Sequence, residues 1–304
     1  MQVKGIIVAM ITPLDQDQKI NKASTRQLVD KLIDSGVNGI FILGTNGEFH
    51  VLSEAEKLEF ASIAMDAVAQ RVPVYVGVGG NSTRDTISLA KKMEKLGADA
   101  LSVITPYFVP LTQRELLLHY KAIAESVQIP IILYNMPKNT GIHIEAATAG
   151  ELAQIDNIIG IKDSSGRLEN IENYIKAAKG RDFVTLSGSD SLILKALQAG
   201  AVGAIAATAN LIPELDISIY NHFVNGNLEA AEKAQREVEV LRSVLKLGTP
   251  PSVLKKAVEL SGIPVGSARA PVREVSEEEV LAKIRETLNF YNLAGGENHA
   301  QSGY

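Results

Sequence analysis

The chain has no cysteine in 304 residues, which removes disulfides, zinc–thiolate centres and thiol nucleophiles together. Its five histidines, His50, His119, His143, His222 and His299, form no His-x-x-x-His or His-Glu-x-x-His pair that would put two ligands on one helix face. We therefore expect no metal and no other cofactor. Positive charge is not in excess either: 30 lysines and arginines against 35 acidic residues leave a formal net charge of −5. With no basic field to hold a phosphate backbone, nucleic acid is not an expected partner. Long hydrophobic runs are also missing. The opening MQVKGIIVAMITPLDQD carries one early lysine and an apolar run of about seven residues, too short for a signal-peptide core or a membrane span. A cytoplasmic protein with no membrane partner is expected.

What is present is an ordinary globular composition, 46% hydrophobic and 21% charged, with enough apolar side chain for a large core. Apolar runs of five to eight residues recur at 5–12, 39–44, 74–79, 100–105, 130–135, 158–164, 183–189 and 201–208. Each is followed by a turn and a stretch of helical spacing, at 24–35, 53–69, 83–96, 112–127, 145–154, 167–179, 190–199 and 213–225. Continuous rather than alternating apolar runs indicate parallel strands buried on both faces. Ser53 with Glu56 makes a capping box, and Asp190 stands where it could cap the seventh helix. Gly36, Gly97 and Gly200 follow helices, as left-handed C-terminal caps do. These features predict an α/β fold, a (β/α)8 TIM barrel over 1–225. Helical spacing without further strands over 226–293 predicts a C-terminal three-helix extension, and the small, polar 294–304 predicts a disordered tail. The rival fold, an open dinucleotide-binding sheet, would use Gly77-Val78-Gly79-Gly80-Asn81-Ser82, but its third glycine would fall on Ser82 and no acidic residue follows at the right distance.

In such a barrel, chemistry belongs at the carboxyl ends of the strands. Lys162 closes the sixth run, where desolvation favours a neutral, nucleophilic amine; the alternative is a lysine stem lying on the wall with its head in water. Only Asp163 stands beside it as a partner. Tyr134 ends the fifth run, next to the sixth in the barrel, and is either a proton shuttle or a core tyrosine with a satisfied hydroxyl. The loop Gly44-Thr45-Asn46-Gly47-Glu48 is either a plain turn or a nest of backbone N–H groups suited to a carboxylate. A 2-keto acid would engage both features, its carboxylate at the nest and its carbonyl at the lysine.

Gly44-Thr45-Asn46-Gly47-Glu48, Tyr134-Asn135-x-Pro137, Gly160-Ile161-Lys162-Asp163-Ser164 and Leu186-Ser187-Gly188-Ser189-Asp190 resemble, in order and spacing, the dihydrodipicolinate synthase / N-acetylneuraminate lyase family. The resemblance covers about residues 1–290. It implies a lyase in which Lys162 forms an imine with pyruvate, Tyr134 shuttles protons with Thr45, and the Thr45 and Asn46 amides hold the keto-acid carboxylate. It further implies that Tyr107, Asn139, Gly188, Ser189 and Asp190 line the region of the second substrate, an aldehyde, and that Ile205 packs near the imine. A homotetramer is implied as well.

Two positions depart from the synthases of this family, which condense pyruvate with aspartate semialdehyde. They carry a second tyrosine after Thr-Pro-Tyr, where this chain has Phe108, and an arginine clamp where this chain has Asn139 beside Lys138. Asn46 in Gly44-Thr45-Asn46-Gly47-Glu48-Phe49 and the run Pro137-x-Asn139-Thr140-Gly141 look more like 4-hydroxy-2-oxoglutarate aldolase and related keto-deoxy-sugar-acid aldolases or dehydratases. The first expectation is a Schiff-base aldolase of that type. The second is 4-hydroxy-tetrahydrodipicolinate synthase, and a third, from another class, is a non-catalytic barrel that only binds a keto acid.

Overall fold

A computed structural model describes residues 2–294. Eight parallel strands close into a barrel in chain order: β1 (Gly5–Ala9), β2 (Gly39–Ile42), β3 (Val74–Gly77), β4 (Ala100–Ile104), β5 (Ile131–Asn135), β6 (Ile158–Asp163), β7 (Val184–Ser187) and β8 (Gly203–Ala206), with β8 returning to β1. The (β/α)8 TIM barrel is therefore the fold. Every residue of β1 to β5 and of β8 is buried, as continuous apolar strands between a filled interior and an outer helix layer must be. Alternate residues point inward, and Ile7, Phe41, Tyr75, Ile132, Leu186 and Ile205 fill the interior as one apolar cluster.

Around the barrel lie α1 (Lys22–Asp34), α2 (Glu54–Val68), α3 (Thr83–Leu96), α4 (Gln113–Ala124), the one-turn α5 (Pro137–Thr140), α6 (Ala146–Leu152), α7 (Leu168–Ala177), α8 (Ile193–Gln198) and α9 (Pro213–Val224). Ser53 forms the predicted capping box with Glu56, and Thr112 forms a second one with Glu115. Gly36, Gly97 and Gly200 all have left-handed φ, between 87° and 105°, which is why glycine ends those helices.

Asp190 does not cap the seventh crossover helix. That helix, α8, starts after Leu192 with no side-chain cap, and the Asp190 carboxylate instead accepts from the backbone N–H groups of Ala207 and Thr208. Several strands also end earlier than their apolar runs, because the chain leaves the sheet to build the mouth of the barrel; Leu43, directly after β2, already has φ 56°. The short α5, with Pro137 in its first turn, escaped the sequence reading because four residues show no helical period.

Beyond α9, α10 (Leu228–Leu245), α11 (Ser252–Leu260) and α12 (Glu278–Phe290) form the extension. Val238, Leu241, Leu254, Val258, Ile284 and Leu288 belong to the same buried cluster as the barrel residues Ile6, Val8 and Met10, so extension and barrel share one core. Of the tail 294–304, residues 295–304 lie outside the described residues. Among the described residues, no helix is long and apolar enough to cross a membrane.

Barrel closure rests on small residues at the last seam. A Cβ on Gly203 would stand 2.1 Å from the Gly5 carbonyl oxygen and 2.6 Å from the Gly5 nitrogen, both backbone atoms that cannot swing aside. Gly203→Ala should therefore destabilise the fold by about 1–3 kcal/mol, read as a lower denaturant midpoint at unchanged slope. An unchanged midpoint would show that the seam yields more easily than its geometry implies.

Candidate active site at the barrel mouth

Strands β5 and β6 pair with Tyr134 opposite Lys162 and Asn135 opposite Asp163. The period of two along a strand then sends Tyr134 and Lys162 to the interior and Asn135 and Asp163 to the helix side. Lys162 is buried, 3% exposed, and its surroundings are aromatic: Nζ lies 4.1 Å from the ring centre of Tyr134 and 4.7 Å from that of Phe41. Those two rings meet edge to face, 6.2 Å apart. Among the described residues, Lys162 takes part in no ion pair within 4.0 Å. The partner suggested by its neighbour in sequence is not one: Asp163 faces outward, accepting from Asn135 Nδ2 at 2.7 Å and Ser165 Oγ at 2.6 Å. Burial pushes the Asp163 carboxyl up, and the hydrogen bonds from Ser165 and Asn135 oppose that.

Gly188 makes the room for the lysine. A Cβ there would meet Lys162 Cε at 2.9 Å, Ser164 Oγ at 2.1 Å and the Asp163 carbonyl at 3.0 Å. On the other side, the Tyr134 hydroxyl and Thr45 Oγ1 are hydrogen-bonded at 3.1 Å, either being able to donate. Thr45 thereby connects the tyrosine to the loop 44–48. Thr45 and Asn46 are half-buried, and among the described residues their backbone N–H groups have no protein acceptor. Gly44 and Gly47 allow this tight path: a Cβ on Gly44 would strike the Phe41 ring at 2.5 Å, and one on Gly47 would meet the Leu43 nitrogen at 2.9 Å. Two backbone donors without a protein acceptor, on the loop whose Thr45 hydroxyl meets Tyr134, form an arrangement suited to a carboxylate.

Outward from Thr45 opens a cavity of about 290 Å³ lined by Thr45, Phe49, His50, Ile104, Tyr107, Asn139 and Thr140. Tyr107 and Asn139 thus lie together at the mouth. The lining holds no lysine, arginine or carboxylate. His50 escaped the sequence reading; its only signal was its place two residues after the loop that ends in Glu48. Partial burial holds its imidazole below the ordinary value, Glu48 opposing and Lys57 adding to the effect. Phe108 points away, 91% exposed, with a left-handed φ of 81°. Ser189 is half-buried beside Gly188, and Ile205 lies in the interior cluster with Phe41 and Leu186.

Asp190 belongs to the wall rather than to the cavity. Its side chain is buried, bound to the Ala207 and Thr208 amides, and lies 3.5 Å from Arg242 Nη1 of α10. Behind it, both carboxylate oxygens of Asp216 accept from the Thr208 hydroxyl, at 2.9 and 3.0 Å. Two buried acids with one partly exposed arginine, at Asp190, favour the protonated form, and burial followed by the Asp190 charge pushes Asp216 well above the usual carboxylate range.

Known proteins agree with this architecture. The family described as the dihydrodipicolinate synthetase family matches residues 2–289. A 4-hydroxy-tetrahydrodipicolinate synthase from Methanopyrus kandleri is 40% identical over 279 residues, covering 91% of this chain and 93% of that protein. Among solved structures, a chloride-inhibited dihydrodipicolinate synthase from Acinetobacter baumannii complexed with pyruvate superposes with a TM-score of 0.92 at 33% identity, over 96% of this chain and 100% of that one. YagE, a prophage protein of the same family from Escherichia coli K12 in complex with pyruvate, has a TM-score of 0.92 at 31% identity, over 97% and 100% of the two chains.

The acid pair in the wall predicts a pH signature in stability. A carboxyl whose folded value is raised loses stabilisation as pH climbs above its unfolded value, because only the unfolded chain ionises it freely. Asp216→Asn, which keeps an acceptor for Thr208, should melt higher than the parent at about pH 8, and the gain should vanish near pH 4. A variant less stable at the higher pH would show that Asp216 carries its charge in the fold.

Proposed function

The chain belongs to the dihydrodipicolinate synthetase family, a family of lyases, and on that premise we propose that it activates pyruvate as a Schiff base on Lys162. The observation that carries this reading is the pairing of a buried Lys162, in no ion pair among the described residues, with Tyr134 across one register of β5 and β6, Tyr134 being hydrogen-bonded to Thr45. Lys162 Nζ attacks the keto carbon, water leaves, and the resulting iminium withdraws electrons from the adjacent carbon. Having protonated the departing water, the Tyr134 oxygen takes a proton from that carbon to give an enamine, which attacks the aldehyde carbon; Tyr134 returns the proton to the aldehyde oxygen, with Thr45 in the relay, and water hydrolyses the new iminium to free the product and Lys162. Retro-aldol cleavage runs the same steps backwards. The Thr45 and Asn46 amides receive the keto-acid carboxylate, and the pyruvate complexes of the two structural neighbours support that substrate.

The acceptor has two readings. Condensation with aspartate semialdehyde, the second expectation from the sequence, has the support of the relatives' names, including the Methanopyrus kandleri synthase. Cleavage of a 4-hydroxy-2-oxoglutarate or keto-deoxy-sugar-acid substrate, the first expectation, has the support of the mouth itself, where Asn139 replaces an arginine clamp and no cationic side chain lines the cavity. The relatives weigh more for the class of reaction; the mouth governs how well a carboxylated aldehyde is held. The homotetramer is part of the same proposal, and Phe108, Val109 and Leu118 are exposed apolar side chains that such an assembly would cover.

Incubation with pyruvate, reduction with borohydride and peptide mapping should place one pyruvyl adduct on Lys162 and none in Lys162→Met. An unlabelled wild-type protein would sink the Schiff-base reading, and the binding-only barrel would take its place. Aspartate semialdehyde should be turned over with a weak acceptor KM, and Asn139→Arg should improve kcat/KM for it by about tenfold or more, since a charge-assisted hydrogen bond contributes roughly 1.5–3 kcal/mol. No turnover of the semialdehyde, beside brisk release of pyruvate from a hydroxy-keto acid, would decide for cleavage.

A further inference from the structure

Glu48 ends the loop that carries Thr45 and Asn46, yet its side chain does not face the cavity. Its backbone is left-handed, φ 59°, a conformation a glutamate adopts only when its surroundings hold it there. The side chain is 2% exposed and is bound entirely by the C-terminal extension. Lys255 of α11, fully buried, donates from Nζ to Glu48 Oε1 at 2.9 Å and to the Ser267 carbonyl at 2.7 Å; the Arg269 backbone N–H donates to Glu48 Oε2 at 2.6 Å. Arg269 is tied down in turn through Glu56 Oε1 at 2.7 Å and the Gln18 carbonyl at 2.5 Å. On the barrel side, the loop is held by the Thr12 hydroxyl, which donates to the Gly47 carbonyl at 2.7 Å, and by the Glu48 N–H, which donates to the Thr45 carbonyl at 3.1 Å.

A buried ion pair is poor evidence of stability, because desolvating both charges offsets their attraction. Burial does push the Lys255 amine down while Glu48 holds it up. A pair that adds little to stability but fixes two segments in register points to a positioning role. We infer that Glu48, latched by Lys255 and the Arg269 amide, is the positioning residue for the keto-acid carboxylate nest, which makes the helical extension part of the substrate site. The inference rests on the Schiff-base reading for its ligand but not for its geometry. Thr45 and Asn46 lie three and two residues before the latch, so a shift of Glu48 tilts both amides relative to Lys162, whose own position depends on Gly188 and the two rings.

Pyruvate and acetone separate this role from a merely structural one. Both form an imine on a reactive lysine, but only pyruvate has a carboxylate to place in the nest. Lys255→Met alone would strand a buried carboxylate and endanger folding, so the informative variant is Glu48→Gln with Lys255→Met, which leaves no unpaired charge. In borohydride trapping this double variant should need about tenfold more pyruvate for half-maximal labelling of Lys162, while acetone labels it as fast as in the parent. Equal losses with both ketones, or no loss with either, overturn the inference. Amide hydrogen exchange supplies an arm that needs no ligand: residues 44–50 should exchange faster in the double variant, with β6 unchanged, and unchanged exchange at 44–50 also overturns it. A parent protein that traps neither ketone sinks the Schiff-base proposal instead, and the exchange result still decides whether Glu48 positions the loop.

Discussion

An amine held among rings, with no carboxylate among the described residues at its side, is the constraint around which the rest of this molecule is arranged. Lys162 lies against Tyr134 and Phe41, whose ring faces attract a cation without neutralising it. A carboxylate at hydrogen-bond distance would fix the ammonium and cost the nitrogen its lone pair for attack. The fold avoids this by register. Acidic residues near Lys162 in sequence or space, Asp163 and Asp190, are turned outward or into the wall, each saturated by other donors.

The same arrangement explains why so many small residues surround one long side chain. Gly188 leaves space for the Lys162 stem, Gly44 for the Phe41 ring and Gly47 for the backbone of Leu43. Each missing Cβ lets a backbone come closer to its neighbour, the Lys162 stem, the Phe41 ring or the Leu43 backbone, than any other residue type permits. Rigidity then has to come from elsewhere, since glycine-rich loops hold no shape by themselves. It comes from Thr45 on Tyr134, Thr12 on Gly47 and Glu48 on the extension, three hydrogen-bonded attachments over four residues.

How much of this was legible in the sequence follows from which interactions are local. Strand count and helix caps depend on short-range pattern, so continuous apolar runs and the Ser53 capping box declared them, and closure is inferred from the count of eight βα units rather than from any local signal. Lys162 and Tyr134 were legible because each ends such a run, and strand alternation places them. Asp190 was misjudged because position alone cannot tell a helix cap from a tie to the chain just after β8, where Ala207 lies seventeen residues on. His50 was missed because it becomes part of the mouth only when the turn after the nest folds beside Tyr107 and Asn139. Glu48 drew attention as part of a turn, while its partners stand more than two hundred residues away. Pairings of that range leave no trace in the periodicity of a single sequence.

On the proposed function, the two halves of the substrate site are also built from different material, and that difference sets what each half could specify. The keto-acid half uses backbone N–H groups, a lysine and a hydroxyl pair, so it is tied to the path of the chain and changes only when the loop moves. The proposed acceptor half is made of side chains, His50 on the short turn Phe49–Val51, Tyr107 on the loop after β4 and Asn139 on the one-turn α5. One substitution there replaces a neutral amide by a bidentate cation without disturbing the barrel, which alters the discrimination between acceptors by the full value of a charge-assisted contact. On that proposal, the fold would hold its first substrate by architecture and its second by individual side chains. The second is therefore read from Asn139 and its neighbours, and the first from the register of β5 and β6.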